Sequence, residues 1–104
     1  MISKGDYVIM RTMKEYEALF IIDPDKENSL KEITGSIAES ITKNRGKINK
    51  EENWGKQKLA YIIRKKTEGI YYKLDFSIDP LQVSVLNNSY KLNANILRTM
   101  ITAK

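Results

Sequence analysis

The sequence predicts an α+β fold in the split βαβ, or ferredoxin-like, arrangement: a four-stranded antiparallel sheet with two helices on one face. Three observations predict it. Strand-like and helix-like apolar patterns follow one another in the order strand, helix, strand, strand, helix, strand. Both helical stretches open on capping-box spacings, Ser29 with Glu32 and Asp79 with Gln82. The two middle strand runs are joined directly by a short polar stretch, Arg64 to Gly69, as in a hairpin.

Tyr16 to Ile22 is short, apolar and rich in strand formers, and Asp23-Pro24-Asp25 stops it. Alternation puts Ala18, Phe20 and Ile22 on one face and Leu19 and Ile21 on the other. A helix follows, with Leu30, Ile33, Ile37 and Ile41 in one stripe. It should end near Asn44 to Gly46, where glycine accepts a left-handed conformation. Lys47 to Ile63 reads as one long strand broken at Trp54-Gly55, with Leu59 to Ile63 as a buried second half. After the hairpin, Ile70 to Ile78 places Tyr72, Leu74 and Phe76 on one face and Tyr71, Lys73 and Asp75 on the other. Asp79 caps the second helix with Pro80 at its first position, and Val83, Leu86 and Tyr90 face inward. Leu92 to Asn95 is a loop, and Ile96 to Thr102 is the last strand. Phe20, Ile37, Ile41, Leu74, Phe76 and Leu86 are the expected core between the layers. Residues 1–12 read as a mobile N-terminal extension, and residues 13–104 as the single domain.

The chain has no cysteine and no histidine, which removes thiolate metal sites, disulfides and the commonest general base. Glu51 and Glu52 are adjacent and would point to opposite strand faces; Asp23 and Asp25 flank a proline and read as turn residues. No catalytic set, no metal ligand set, no cofactor site and no phosphate-cradling glycine loop is expected. No apolar run is long enough to span a bilayer, so no membrane partner is expected and the cytoplasm is the expected location; without a catalytic set, no small-molecule substrate is expected either. The net charge of +5 is unevenly spread. From Lys43 to Lys73 ten basic residues face three acidic ones, a local charge of +7, while the remainder of the chain is −2. That block is what a polyanion partner requires, although a solvated lysine-rich face has the same composition. Trp54 reads as a half-buried packing residue, and Tyr72 as core rather than a platform for stacked bases.

Trp54-Gly55-Lys56-Gln57-Lys58-Leu59-Ala60-Tyr61-Ile62-Ile63 resembles the signature of the bacterial small-subunit ribosomal protein S six family, W-G-[KR]-[KR]-[KR]-L-A-Y-P-I. Tyr16-Glu17 shortly after a methionine, Glu68-Gly69-Ile70-Tyr71-Tyr72, and Leu92-Asn93-Ala94-Asn95-Ile96-Leu97-Arg98 agree with the same family, so the resemblance covers Met13 to Lys104. Ile62 stands where the family has proline, Gln57 where it has a basic residue, and Ala94 where it has an acid. The resemblance implies a structural constituent of the small ribosomal subunit, binding the central domain of 16S ribosomal RNA together with ribosomal protein S eighteen. It implies phosphate contacts at Lys14, Lys56, Lys58, Lys65, Lys66 and Arg98. Leu19 and Ile21, on the face the helices leave open, are the expected surface for the protein partner. The competing reading is a ferredoxin-like ligand-binding or regulatory domain without RNA contact, which salt-sensitive RNA binding would separate from the first.

Overall fold

The fold was taken from a computed structural model, which describes residues 13–104; the expectation for residues 1–12 lies outside them. The elements are β1 (Lys14–Ile22), a short 3-10 helix (Pro24–Ser29), α1 (Leu30–Lys43), β2 (Lys47–Ile63), β3 (Lys66–Ile78), α2 (Pro80–Lys91) and β4 (Ile96–Ala103). The four strands form one antiparallel sheet in the order β2-β3-β1-β4. The split βαβ arrangement is therefore as the element order predicts.

Register decides which side chains share a layer. Tyr16 lies opposite Phe76, Ala18 opposite Leu74, Phe20 opposite Tyr72 and Ile22 opposite Ile70. All eight are buried and meet Ile33, Ile37 and Ile41 of α1 and Leu86 and Tyr90 of α2 in one cluster. The six expected core residues are all within it. Phe20 sits at its centre, edge-on to Tyr90 with ring centres 4.9 Å apart. Two tyrosines end in polar partners. The Tyr72 hydroxyl donates to Glu51 Oε2 at 2.6 Å, and Tyr90 and Ser40 hydroxyls share a bond of 2.7 Å. Burial, then the bond to Glu51, pushes the Tyr72 hydroxyl pKa well up. Burial likewise raises that of Tyr90.

Four local readings need correction. Ser29 makes no side-chain cap bond, because the 3-10 turn already feeds α1 and the Leu30 N–H donates to the Glu27 carbonyl. At the end of α1 the left-handed residue is Arg45 (φ 67°), not Gly46. Arg45 N–H reaches the Thr42 carbonyl and Gly46 N–H the Ile41 carbonyl at 2.8 Å, which closes the helix. Glycine is needed at 46 for space: a Cβ there would lie 2.7 Å from Ile41 Cγ2.

The third correction concerns the hairpin. The turn is Arg64-Lys65 alone, since Lys66, Glu68 and Gly69 already pair with Ile63, Lys58 and Gln57. Both turn residues are left-handed, at φ 48° and 65°. A two-residue hairpin turn of this hand matches the twist of its strands and favours Asn-Gly. Placing two L-residues with long side chains there costs about 1–2 kcal/mol each. The fourth concerns Leu59 to Ile63. Between the pairs Lys58–Glu68 and Ile63–Lys66, β2 spends Leu59 to Ile62 while β3 spends only Thr67. The surplus forms a wide bulge, and it turns Ala60, Tyr61 and Ile62 out to solvent. Only Leu59 is buried; Ile62 is 66% exposed. The expected break at Trp54-Gly55 is present: the register shifts there, Gly55 has φ 76°, and its N–H donates to Asn53 Oδ1 at 2.9 Å.

Candidate RNA and partner interface

β1 ends at Ile22, opposite Ile70 of β3 and Ile96 of β4. The β2–β3 hairpin continues beyond that point as an arm, with Lys56 at its root level with Ile22, Lys58 along it, and Arg64, Lys65 and Lys66 at its tip. Arg98 lies at the same end, opposite Ile21 in β4. Lys14 does not. It pairs with Ile78 at the far end of β1, and at about 3.4 Å per residue that is roughly 27 Å from Ile22. The structure thus brings five of the six expected phosphate contacts together and leaves Lys14 apart.

The five are not equally available. Lys66 is held by Asp25, and its ammonium lies 3.7 Å from Asp23. The Asp25 bond raises the Lys66 pKa, and the same bond holds the Asp25 carboxyl below the usual carboxylate range. Lys56 pairs with Glu27 at 3.2 Å. The acidic segment that follows β1 therefore runs beside the arm and neutralises one cation at its root and one beside its tip. Lys58, Arg64, Lys65 and Arg98 are exposed and have no acidic partner within ion-pair distance among the described residues.

The face of the sheet away from the helices has two halves. Towards the start of β1 it is filled by ion pairs: Lys73 bridges Glu17 at 2.6 Å and Glu52 at 3.6 Å, and Lys104 reaches Asp75 at 3.1 Å. The bond to Glu17 raises the Lys73 pKa. Trp54 lies over Tyr71 with ring centres 6.4 Å apart and planes 13° from parallel. Trp54 remains 45% exposed, in keeping with half-buried packing. Towards the arm the face is apolar. Ile21, Leu59, Ala60, Tyr61, Ile63, Tyr71, Arg98 and Met100 line a cleft of about 260 Å³. The Arg98 guanidinium stands 5.6 Å from the centre of the Tyr61 ring, an arrangement that orients its charge at the rim.

Leu19 and Ile21 do lie on this face, but not as two equal exposed residues. Ile21 is only 5% exposed, because it clusters with Leu59 of the arm and Leu97 of β4. It forms the floor of the cleft. Leu19 is half-buried beside it, opposite Met100. Close approach at the floor is also why residue 69 is glycine: a Cβ there would overlap Ile21 Cγ2. Sequence reasoning did not find Tyr61, Leu59 and Met100 as cleft residues, since the cleft exists only where the arm folds over β1 and β4. It also did not single out Arg64. The cue was its place beside Lys65 between two strand runs, legible only once the turn is known to hold two residues.

The sequence profile described as Ribosomal protein S6 matches residues 15–103 of this chain. A Streptomyces griseus protein named small ribosomal subunit protein bS6 is 36% identical over 90 residues, covering 86% of this chain and 94% of its own. The chain belongs to the ribosomal protein S6 family. Family members are structural ribosomal proteins of the small subunit and not enzymes, in keeping with the missing catalytic inventory. The crystal structure of 30S ribosomal protein S6 from Thermotoga maritima superposes with a TM-score of 0.83 at 31% identity, covering 88% of each chain. The C-terminal domain of the Mycobacterium tuberculosis MgtC protein also superposes, at TM-score 0.62 and 12% identity, which shows a shared fold alone. Topology by itself therefore does not separate a ribosomal role from others. Among the described residues, no helix is long and apolar enough to cross a membrane and no cluster of side chains suits a metal ion.

Proposed function

We propose that this chain is a structural, non-catalytic constituent of the small ribosomal subunit that binds the central domain of 16S ribosomal RNA jointly with ribosomal protein S eighteen. The observation that carries this reading is the gathering of Lys58, Lys65 and Arg98, none neutralised among the described residues, on and beside the arm that walls an apolar cleft. Cations of this kind bind RNA through its phosphates, and a duplex offers side chains little else, because its deep groove is too narrow to read. Arg98 adds a planar fork that grips phosphate through two bonds, which a lysine cannot reproduce. Lys56 and Lys66 join only by exchanging Glu27 and Asp25 for phosphate. Both pairs are exposed and weak, so the exchange costs little. Lys14, at the far end of β1, meets a separate stretch of RNA. The cleft and Leu19 take the protein partner, since an apolar surface beside a charged rim is the usual anatomy of such an interface.

Two substitutions test this division. Arg98→Lys keeps the charge and should weaken assembly onto a central-domain RNA fragment while leaving the thermal midpoint nearly unchanged. Leu19→Glu should weaken pairing with the partner protein measured without RNA. Wild-type RNA affinity should fall steeply with salt, and each phosphate contact contributes about one unit of slope. A flat salt dependence for the wild-type complex refutes the RNA reading; normal pairing by Leu19→Glu moves the protein interface elsewhere.

A further inference from the structure

We infer that the Arg64-Lys65 turn is a phosphate clamp, with Arg64 as a principal RNA contact, and that its strained backbone is retained for that purpose. The inference rests on the RNA reading above and goes beyond it by assigning a site and a residue to the arm's tip. Three observations on independent features meet there.

The first is conformational. Arg64 and Lys65 are both left-handed, where glycine or asparagine is the relaxed choice. The tight turn dictates the backbone and does not dictate the side chains. Arg45, the remaining left-handed residue other than glycine among the described residues, has a structural reason, since its N–H and that of Gly46 close α1. Among the described residues, no hydrogen bond or ion pair ties down the side chains of Arg64 and Lys65. Strain of this type persists where a function holds it in place.

The second is electrostatic. Two of the arm's five cations are held in ion pairs, whereas Lys58 lies opposite Glu68 across the hairpin without an ion pair among the described residues. Lys56 has Glu27, and Lys66 has Asp25 and Asp23. At the tip, Arg64 and Lys65 have no acidic partner among the described residues. Lys56 and Lys66 are therefore offset by acids, while Lys58 and the two turn residues are left open.

The third is reach. By register the turn lies beyond Ile22, the last residue of β1, and both of its residues are exposed, while the neighbouring Lys66 is the one tied back to Asp25. Two adjacent cations projected in this way fit the backbone of a nucleic acid, which offers phosphates at regular spacing. Solubility alone requires no left-handed arginine, because the same charge on a helix surface costs no strain.

The test is to replace the turn with the sequence its backbone prefers, Arg64→Asn with Lys65→Gly. The comparison variant is Lys31→Gln with Lys91→Gln, which removes the same charge from exposed positions of the two helices. Each is assembled with the protein partner, and affinity for the central-domain fragment of 16S ribosomal RNA is measured across a salt series. The clamp predicts that the turn variant melts at the same or a higher temperature than wild type. Its binding should nonetheless weaken, on the order of tenfold to a hundredfold near physiological salt, with a salt slope smaller by about two. The helix variant should bind almost as wild type. Lys65→Gly alone, keeping Arg64, should show the smaller part of the loss. An unchanged slope in the turn variant overturns the clamp, as does an equal loss in the helix variant. Failure of the wild-type complex to bind the RNA at all overturns the RNA reading itself, and the clamp with it.

Discussion

The two faces of the sheet rest on different physical terms. The helix-covered face is a closed apolar layer in which Phe20, Tyr72, Leu74, Phe76, Ile37, Ile41 and Leu86 are almost wholly removed from water. The opposite face and its arm expose Tyr61, Ile62, Trp54 and Met100 and carry their charge in ion pairs and unpaired cations. One face holds the molecule together; the other is available for contact. The difference teaches that residues of the same apolar type, and even on the same strand, contribute unequally. Leu59 is buried at the cleft floor, while Ile62, three residues on, adds almost nothing to the core.

The sharpest way to break this contrast is a matched pair of truncations. Ile37→Ala removes a fully enclosed side chain and should cost about 2–5 kcal/mol. Ile62→Ala trims an exposed one and should fall within about 0.5 kcal/mol of wild type. Denaturant unfolding of both variants checks it, and equal losses would mean that the arm is part of the core. A subtler intrusion comes next. Gly69→Ala places a methyl group against Ile21 and should destabilise by about 1–3 kcal/mol, the usual cost of overpacking. A further Ile21→Ala change removes the Cγ2 in the way, so the two substitutions together should cost less than the sum of their separate losses.

The smallest expected effect concerns the Asp25–Lys66 ion pair beside the arm's tip. The Asp25 carboxyl is held below its ordinary 3.8 by Lys66, so its contribution is present above that value and fades as pH falls through the lowered one. Lys66 is raised above its ordinary 10.5 by Asp25, so its contribution is present below that value and fades as pH climbs through the raised one. Lys66→Gln should therefore lower stability slightly across the neutral range and converge on wild type at the acid and alkaline ends. Thermal midpoints across the pH range measure this. Because Asp25 is exposed and Lys66 only half-buried, a large drop at neutral pH would show the pair to be structural after all.

Much of the closed face was legible in the residues themselves. The alternation of Ala18, Phe20 and Ile22, the stripe of Ile33, Ile37 and Ile41, and the Asp79-Pro80 helix start have only one economical solution, two helices on one side of a sheet. Burial of that face follows from local periodicity, which a linear sequence carries. The arm follows from different information. Ala60, Tyr61 and Ile62 read as a buried strand because their composition is that of one, yet the surplus of β2 over β3 pushes them outward. No single strand records a surplus; it appears only in the pairing of two.

The charged residues divide in the same way. Sequence determined that a basic block of +7 exists between Lys43 and Lys73, and the motif around Trp54 pointed to the family. It did not determine which of those charges are free. Asp23 and Asp25 precede Lys66 by some forty residues, and the segment after β1 brings them alongside the arm to meet it. Lys14 resembled the other candidates until the register placed it at the far end of β1. Periodicity and composition act between neighbours in the chain and can be read from it directly. Cleft walls, ion pairs and the strained Arg64-Lys65 turn depend on how distant segments meet, and only the tertiary structure decides that.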